Sequence, residues 1–421
     1  MYMTLEGIFG TAVDVSSSLI ILFTIYGAIL QFSGAGKFYL DLSFAALGGK
    51  PTGAGRTIVL SSFLLGGPSG SGVATTVTLG TVAYPMLAKA GCEKNAAGGL
   101  LAAGGLGAIL SPPVLGAAAF LISIVVFMLV GFSPIGAVFW ATAVAALTSF
   151  IHRDCALLEL RLVRERPKGW IKDIALRSKL VQAHATGSTG MINVGATCAA
   201  AGIIVGIVTL TGLGLRFSEI VIAYAGGSLA LTAIFTALIV WVIGLAVPVT
   251  ASYIICAVIA APALIKLGVP DFAAHMFIFY YAVLSEVSPP TALSPFAAAA
   301  ITGGDPYKTT LQSWKYTLPA FVVPFMFVLD PAGVGLLLNI PKGGTWVDVV
   351  TITGLAVIAL VALAGAAEGW LFKKTTLIER LMLLAAGILV LTPLALNDAV
   401  GIGLIAVVAA LQFVRRVPRQ A

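Results

Sequence analysis

The chain has 421 residues, of which 59% are hydrophobic and 10% charged, and its mean hydropathy is +1.05. Soluble domains carry about 25% charged residues, so the composition excludes a soluble globular protein and predicts an all-α, polytopic membrane protein set in a lipid bilayer. The net charge of +7 then bears on topology, and nucleic acid is not an expected partner.

Met1-Tyr2-Met3-Thr4-Leu5-Glu6 has no basic n-region, so no signal peptide is predicted. Apolar windows near the roughly 20 residues that cross a bilayer recur at residues 17–32, 120–141, 194–210, 229–247, 318–338, 349–367, 381–396 and 402–414. Four regions follow: 1–150, 151–184, 185–340 and 341–421. The four cysteines, Cys92, Cys155, Cys198 and Cys256, fit no zinc spacing and are read as free thiols.

The first and third regions share a pattern. Gly67, Pro85, Lys89, Gly91, Ser111, Pro112 and Pro113 recur as Gly244, Pro262, Lys266, Gly268, Ser288, Pro289 and Pro290, always 177 residues on. Helix-breaking and polar residues repeated inside apolar segments mark a secondary transporter built from two structural repeats. Each repeat holds a short break between apolar halves too short to span alone. In the first it is Gly67-Pro68-Ser69-Gly70-Ser71-Gly72; in the second it is Gly244-Leu245-Ala246-Val247-Pro248-Val249-Thr250. This predicts a re-entrant helical hairpin in each, its tip buried in protein or facing a water-filled cavity. Each repeat also holds a Ser-Pro-Pro step, where tandem proline removes two amide donors and stops the helix.

Such breaks expose carbonyls, hydroxyls and half-helix N-termini, which suit a cation and a carboxylate. One candidate cation site lies between Ser69, Gly70, Ser71 and Ser111-Pro112, with Thr75 beside it. A second lies between Thr250, Ser252 and Ser288, Pro289, Thr291. For each hydroxyl the competing reading is a bond back to its own helix. Glu286, ahead of the second Ser-Pro-Pro where repeat one has Ile109, is a candidate proton relay or an interfacial residue. Asp271 and His275 are expected near a helix start. Asn193 is expected to cap a helix more than to line the site, and Lys89 and Lys266 to anchor the hairpins to headgroups.

Between the repeats, residues 152–179 carry eight Lys or Arg against four Asp or Glu, with an apolar stripe of Leu157, Leu160, Val163, Ile171 and Ile174. They read as an amphipathic, cytoplasmic interfacial helix. Arg415, Arg416 and Arg419, then Lys373, Lys374 and Arg380, then Lys308 and Lys315 fall in alternate loops. The positive-inside rule places these loops and the C-terminus in the cytoplasm, with Lys342 the one outer exception.

The residues also carry a family likeness. Glu6-Gly7-Ile8-Phe9-Gly10, Ser33-Gly34-Ala35-Gly36, Ser69-Gly70-Ser71, the segment from Pro112 to Phe120, the segment from Ala261 to Pro270 and Ser288-Pro289-Pro290 resemble the large membrane subunit of TRAP transporters in its TAXI-type, fused form. The tail around Glu379-Arg380-Leu381 resembles the extra spans of that subfamily. The resemblance implies an elevator-type carrier of two inverted repeats in a bacterial or archaeal cytoplasmic membrane. It implies uptake of a small organic anion from a periplasmic TAXI-type binding protein, Na⁺ as coupling ion, and a small membrane subunit, separate or fused. Fused relatives begin well upstream of Met1, so that subunit and the first spans are expected on another polypeptide or a longer chain. Thr75 stands where relatives have Asn, and Leu101, Gly105, Leu106 and Ile109 where they are more polar.

Three functions compete at this point: the binding-protein-dependent permease, a binding-protein-independent or proton-coupled carrier of the same architecture, and a membrane enzyme or channel. Three histidines in the whole chain leave little for an enzyme site, and no cofactor beyond the coupling ion is expected.

Overall fold

The computed structural model describes residues 7–33, 35–48, 53–69, 72–110, 126–128, 130–149, 157, 178–245, 247–392 and 395–414. In chain order the principal helices are α1 (Thr11–Phe32, with a π turn at Ser16–Ile20), α2 (Ala35–Leu47), α3 (Gly53–Ser69), α4 (Gly72–Lys89), α5 (Lys94–Leu110) and α6 (Pro134–Thr148). There follow α7 (Lys179–Thr211), α8 (Leu213–Tyr224), α9 (Leu229–Gly244), α10 (Val249–Ile259), α11 (Ala261–Lys266) and α12 (Asp271–Leu284). The last are α13 (Leu293–Thr302), α14 (Pro306–Thr317), α15 (Val323–Leu329), α16 (Trp346–Glu368), α17 (Leu377–Val390) and α18 (Ala395–Val414). Among the described residues there is no strand, only an isolated bridge between Trp370 and Lys374. Among the described residues four helices are long and apolar enough to cross a membrane: Thr11–Phe32, Lys179–Thr211, Trp346–Glu368 and Leu396–Val414.

The chain forms two compact units, Met1–Leu210 with Thr291–Thr310, and Thr211–Pro290 with Leu311–Ala421. In the first, α3 and α4 pack on each other and both pack on α5, while α13 lies against α4 and α5. Ile58, Leu79, Ala83, Leu87, Leu101 and Ala298 close that core. A second cluster joins Tyr26, Ile29 and Leu30 of α1 to Ala137, Val138 and Ala141 of α6. Small residues at these contacts let helix backbones approach, the usual basis of packing where lipid removes the hydrophobic drive. α6 starts conventionally, with Ser133 accepting from Gly136 N at 3.2 Å and Pro134 in the first turn.

In the second unit α9 and α10 pack on each other and on α12 around Val240, Cys256, Leu264, Phe277 and Ile278. The tail packs α16 on α17 and α17 on α18. Capping boxes start α16 (Thr345 with Asp348) and α17 (Thr376 with Glu379). Buried Glu379 also accepts from Gln412 Nε2 at 3.2 Å, and Arg380 donates to the carbonyls of Ala366 and Ala367 at 2.9 Å each. Asp348, Glu379 and Arg380 are therefore spent on the tail's own helix ends, while Glu368 pairs with Lys315 at 2.9 Å.

Each helix pair ends in the same way. Gly91 and Gly268 both adopt left-handed backbone, φ 80° and 93°, which glycine reaches without a Cβ penalty. Gly91 N donates to Ala88 O and Cys92 N to Leu87 O; Gly268 N donates to Ile265 O and Val269 N to Leu264 O. Donors and acceptors in the two sets are all 177 positions apart.

Two expectations are corrected. Residues 318–338 are not one span: they form a turn at Leu318–Phe321, α15 and a turn at Pro331–Leu337. Pro319, Pro324 and Pro331 each sit within the first two positions of a short piece, where the missing amide stops the helix before it. Asn193 caps nothing, because α7 runs unbroken from Lys179 to Thr211. Gly187, six residues before it, serves packing: a methyl there would lie 2.6 Å from the Ile25 Cα. Of the connector, Leu157 and residues 178–184 are described; its remainder, and Arg415, Arg416 and Arg419, lie outside the described residues. Cys92, Cys198 and Cys256 are free thiols.

Candidate functional site

The first hairpin, α3 and α4, presents one hydroxyl from each arm to two adjacent glycines of α5. Ser62 on α3 donates to Ile58 O at 2.6 Å, and its Cβ lies 3.0 Å from where a methyl on Gly104 would be. Thr76 on α4 occupies the corresponding space at Gly105, and a methyl there would also meet the Gly72 carbonyl oxygen at 2.7 Å. The Thr76 hydroxyl reaches back to Leu101 O at 3.5 Å. Ser62, Thr75 and Thr76 are all buried. Gly105, one of the positions lacking the polar side chain expected from relatives, therefore supplies a seat for the second arm.

Of the first predicted cation site, Thr75 is buried near the start of α4 and Ser69 is the last residue of α3. Gly70, Ser71, Ser111 and Pro112, and the Ser69 side chain, lie outside the described residues.

In the second unit α9, α10 and α12 bring Gly244, Ser252 and Ser285 together. A methyl on Gly244 would lie 2.7 Å from Ser285 Cβ and 3.6 Å from Ser252 Oγ. Ser285 Oγ donates to Ala282 O at 2.7 Å, Ser288 Oγ to Leu284 O at 2.8 Å, and Ser252 Oγ lies 3.1 Å from both Val247 O and Pro248 O. All three serines are buried. The back-bonded reading thus describes where their protons go. It leaves the oxygens, each with acceptor capacity, on the inner side of the hairpin break.

Thr250 is half-buried in the first turn of α10, whose amides follow the Pro248 cap. Glu286 is half-buried in the short helical turn Ser285–Val287 between α12 and the prolines. Pro289 follows Ser288 and its peptide bond to Pro290 is cis. Thr291 is exposed and opens the segment that belongs to the first unit. The next residue, Ala292, is fully buried in left-handed backbone at φ 32°. Asp271 lies in the first turn of α12, as expected, and His275 Nδ1 is 3.2 Å from the Tyr253 hydroxyl of α10. Exposed Lys266 faces Glu219 at 3.7 Å.

Ser285, Ser62, Thr76 and Ala292 were missed in the sequence. The repeat itself hid Ser285, since its counterpart is Ala108. The adjacent Gly104-Gly105 pair was the available signal for the other arm contacts. The second unit also holds an apolar cavity of about 360 Å³ lined by Trp241, Tyr281, Trp314, Phe321 and Phe325. None of the predicted hydroxyls lines it.

At the start of α5, the glutamate of the α4–α5 turn is electrostatically tuned. Amides of Asn95 and Ala96 donate to Glu93 at 3.1 and 3.0 Å and, with Asn95 first, hold its carboxyl below the usual glutamate value.

Several apolar helices of membrane-crossing length, packed on one another through glycine and buried hydroxyls, fit a polytopic membrane protein. Residues 2–158 and 124–336 match the family described as tripartite ATP-independent periplasmic transporter, DctM component, and the chain belongs to that family. It is also 36% identical over 91 residues to the 2,3-diketo-L-gulonate TRAP transporter large permease protein YiaN of Escherichia coli (strain K12). That match covers 22% of this chain and 21% of the relative.

Proposed function

We propose that the protein is the large permease subunit of a TAXI-type TRAP transporter. It takes up a small organic anion of the carboxylate class from a periplasmic binding protein, and a cation gradient, with Na⁺ as the coupling ion, drives uptake. The observation that carries this reading is the second helix pair: Ser252 and Ser285 bring hydroxyl oxygens beside Gly244, Ser252 at the Pro248 break, and Ser288 follows three residues after Ser285, all buried. Oxygen ligands beside a broken helix replace the hydration shell of a monovalent cation, and half-helix N-termini favour a carboxylate. A carboxylate substrate also agrees with the sugar-acid name of the partial relative.

The matching Gly91 and Gly268 exits support two inverted repeats with re-entrant hairpins, and such a pair supports elevator motion of the hairpin region. A small membrane subunit completes the assembly in the cytoplasmic membrane, with the C-terminus inside. A proton-coupled variant rests on Glu286, an acid beside the second Ser-Pro-Pro.

The test is uptake into proteoliposomes of the full assembly, screened over candidate binding proteins under an imposed Na⁺ or proton gradient. Uptake that needs both binding protein and Na⁺ is expected. Binding-protein-independent uptake, or uptake driven by a proton gradient alone and abolished by Glu286→Gln, overturns the Na⁺-coupled tripartite reading.

A further inference from the structure

At the other end of α13, within the first unit, two threonines keep their hydroxyls unspent. Thr302 closes α13 and Thr309 lies in α14; both are buried, at 2% and 0% exposure, and neither Oγ1 has a hydrogen-bond partner. Threonines in helices usually donate to a carbonyl three or four residues back, as the neighbouring Thr310 does to Pro306 O at 2.8 Å. The two free hydroxyls converge. A methyl on Gly304 would lie 3.2 Å from each Oγ1 and 2.8 Å from Asn95 Oδ1. A methyl on Gly98 would lie 3.2 Å from Thr302 Oγ1 and 3.5 Å from Thr309 Oγ1. Three oxygens therefore converge on the space that Gly304 leaves, while at Gly98 the Thr309 methyl, 2.8 Å away, closes the other side.

The amide of Asn95 is oriented by its partner: Asp305 N donates to Asn95 Oδ1 at 2.8 Å, so this end of the side chain is an acceptor, with a second lone pair to spare. An anion would face that oxygen and be repelled. The converging atoms are neutral, whereas a divalent ion wants carboxylates. Hydroxyl and amide oxygens without charge suit a hard monovalent ion. The exposed turn at residues 303–308 gives access from solvent.

We propose that Thr302, Thr309 and Asn95 bind a monovalent alkali-metal cation, Na⁺ or K⁺, at a site separate from the hairpin hydroxyls. The ion fastens α13 and the start of α14 to the N-terminus of α5, beside the bond from Tyr84 hydroxyl to Thr302 O at 2.8 Å. The site does not depend on the coupling reading, since none of its ligands belongs to the hairpin sites.

The test is thermal unfolding of the purified full chain in detergent, in NaCl, KCl and choline chloride at equal ionic strength. The wild-type midpoint should rise with the logarithm of Na⁺ or K⁺ concentration relative to choline. Thr309→Val should lose most of that rise yet be no less stable than wild type in choline, where it removes only an unpartnered hydroxyl. Thr302→Val should behave alike, and Gly304→Ala, which fills the space, should lose the rise too. A full alkali-cation response in either folded threonine variant overturns the site, leaving an ordered water or ions at the hairpins alone; so does a wild type that does not distinguish alkali cations from choline.

Discussion

Thr76 fills the space that a side chain at Gly105 would need. Its Oγ1 stands against the glycine Cα, and the Gly72 carbonyl closes the same space from the start of α4. The first turn of α4 thus approaches one backbone position of α5 with both a side chain and a carbonyl. Gly105→Ala should shift them apart and destabilise the protein by about 1–3 kcal/mol, the usual cost of overpacking. Chemical or thermal unfolding in detergent measures it. A variant as stable as wild type would mean that α4 does not seat on α5 here.

Gly244 and Ser285 form a comparable contact in the second unit, with the glycine at the end of α9 and the hydroxyl in the turn that follows α12. Gly244→Ala should cost about 1–3 kcal/mol, and adding Ser285→Gly should recover part of that loss, because the obstructing side chain is gone. The double-mutant cycle should show coupling of at least about 0.5 kcal/mol. Strictly additive effects would separate the two residues.

Much of this arrangement was legible. The polar, glycine-rich breaks at residues 67–72 and 244–250 divide helix pairs as expected, because a helix stops where proline and glycine cluster between apolar halves. Gly91 and Gly268, which the repeat paired without assigning them a role, turn the chain after those pairs in left-handed backbone. Other features were hidden for physical reasons. Hydropathy counts apolar side chains and not amide donors, so residues 318–338 read as a span although Pro319, Pro324 and Pro331 fragment them. The polar run at residues 187–193 read as a helix start, yet glycine in α7 answers a close backbone approach instead. Searching for what the repeats share discarded Ser285, which they do not share.

Ala292 offers a test of backbone strain beside the prolines. A left-handed non-glycine residue costs about 1–2 kcal/mol, while losing one buried methyl costs about 0.8 kcal/mol. The two nearly cancel in Ala292→Gly, which should stay within about 1 kcal/mol of wild type in equilibrium unfolding. A β-branched side chain cannot adopt this conformation cheaply, so Ala292→Val should be far less stable. Equal losses in both variants would contradict the left-handed assignment.

Glu93 predicts a pH dependence whose sign follows from its depressed pKa. Its folded carboxyl ionises below the unfolded value, so its contribution is present above the unfolded glutamate pKa and is lost as pH falls through the folded one. Glu93→Gln should therefore lower the unfolding midpoint at neutral pH and flatten its fall on the acid side of the ordinary glutamate value, so that the two proteins converge at low pH. An unaltered acid limb would remove Glu93 from the cap of α5.

The central claim is that hydroxyls beside the second helix break couple transport to Na⁺. Na⁺-activation curves of binding-protein-dependent uptake in proteoliposomes test it most directly, comparing wild type with Ser252→Ala, Ser288→Ala and Thr291→Ala at matched reconstituted protein. The account predicts that loss of an oxygen ligand moves half-activation to higher Na⁺ by about tenfold or more, the equivalent of about 1.4 kcal/mol, while incorporation is unchanged. Na⁺ activation curves that superimpose on wild type in all three variants would contradict it.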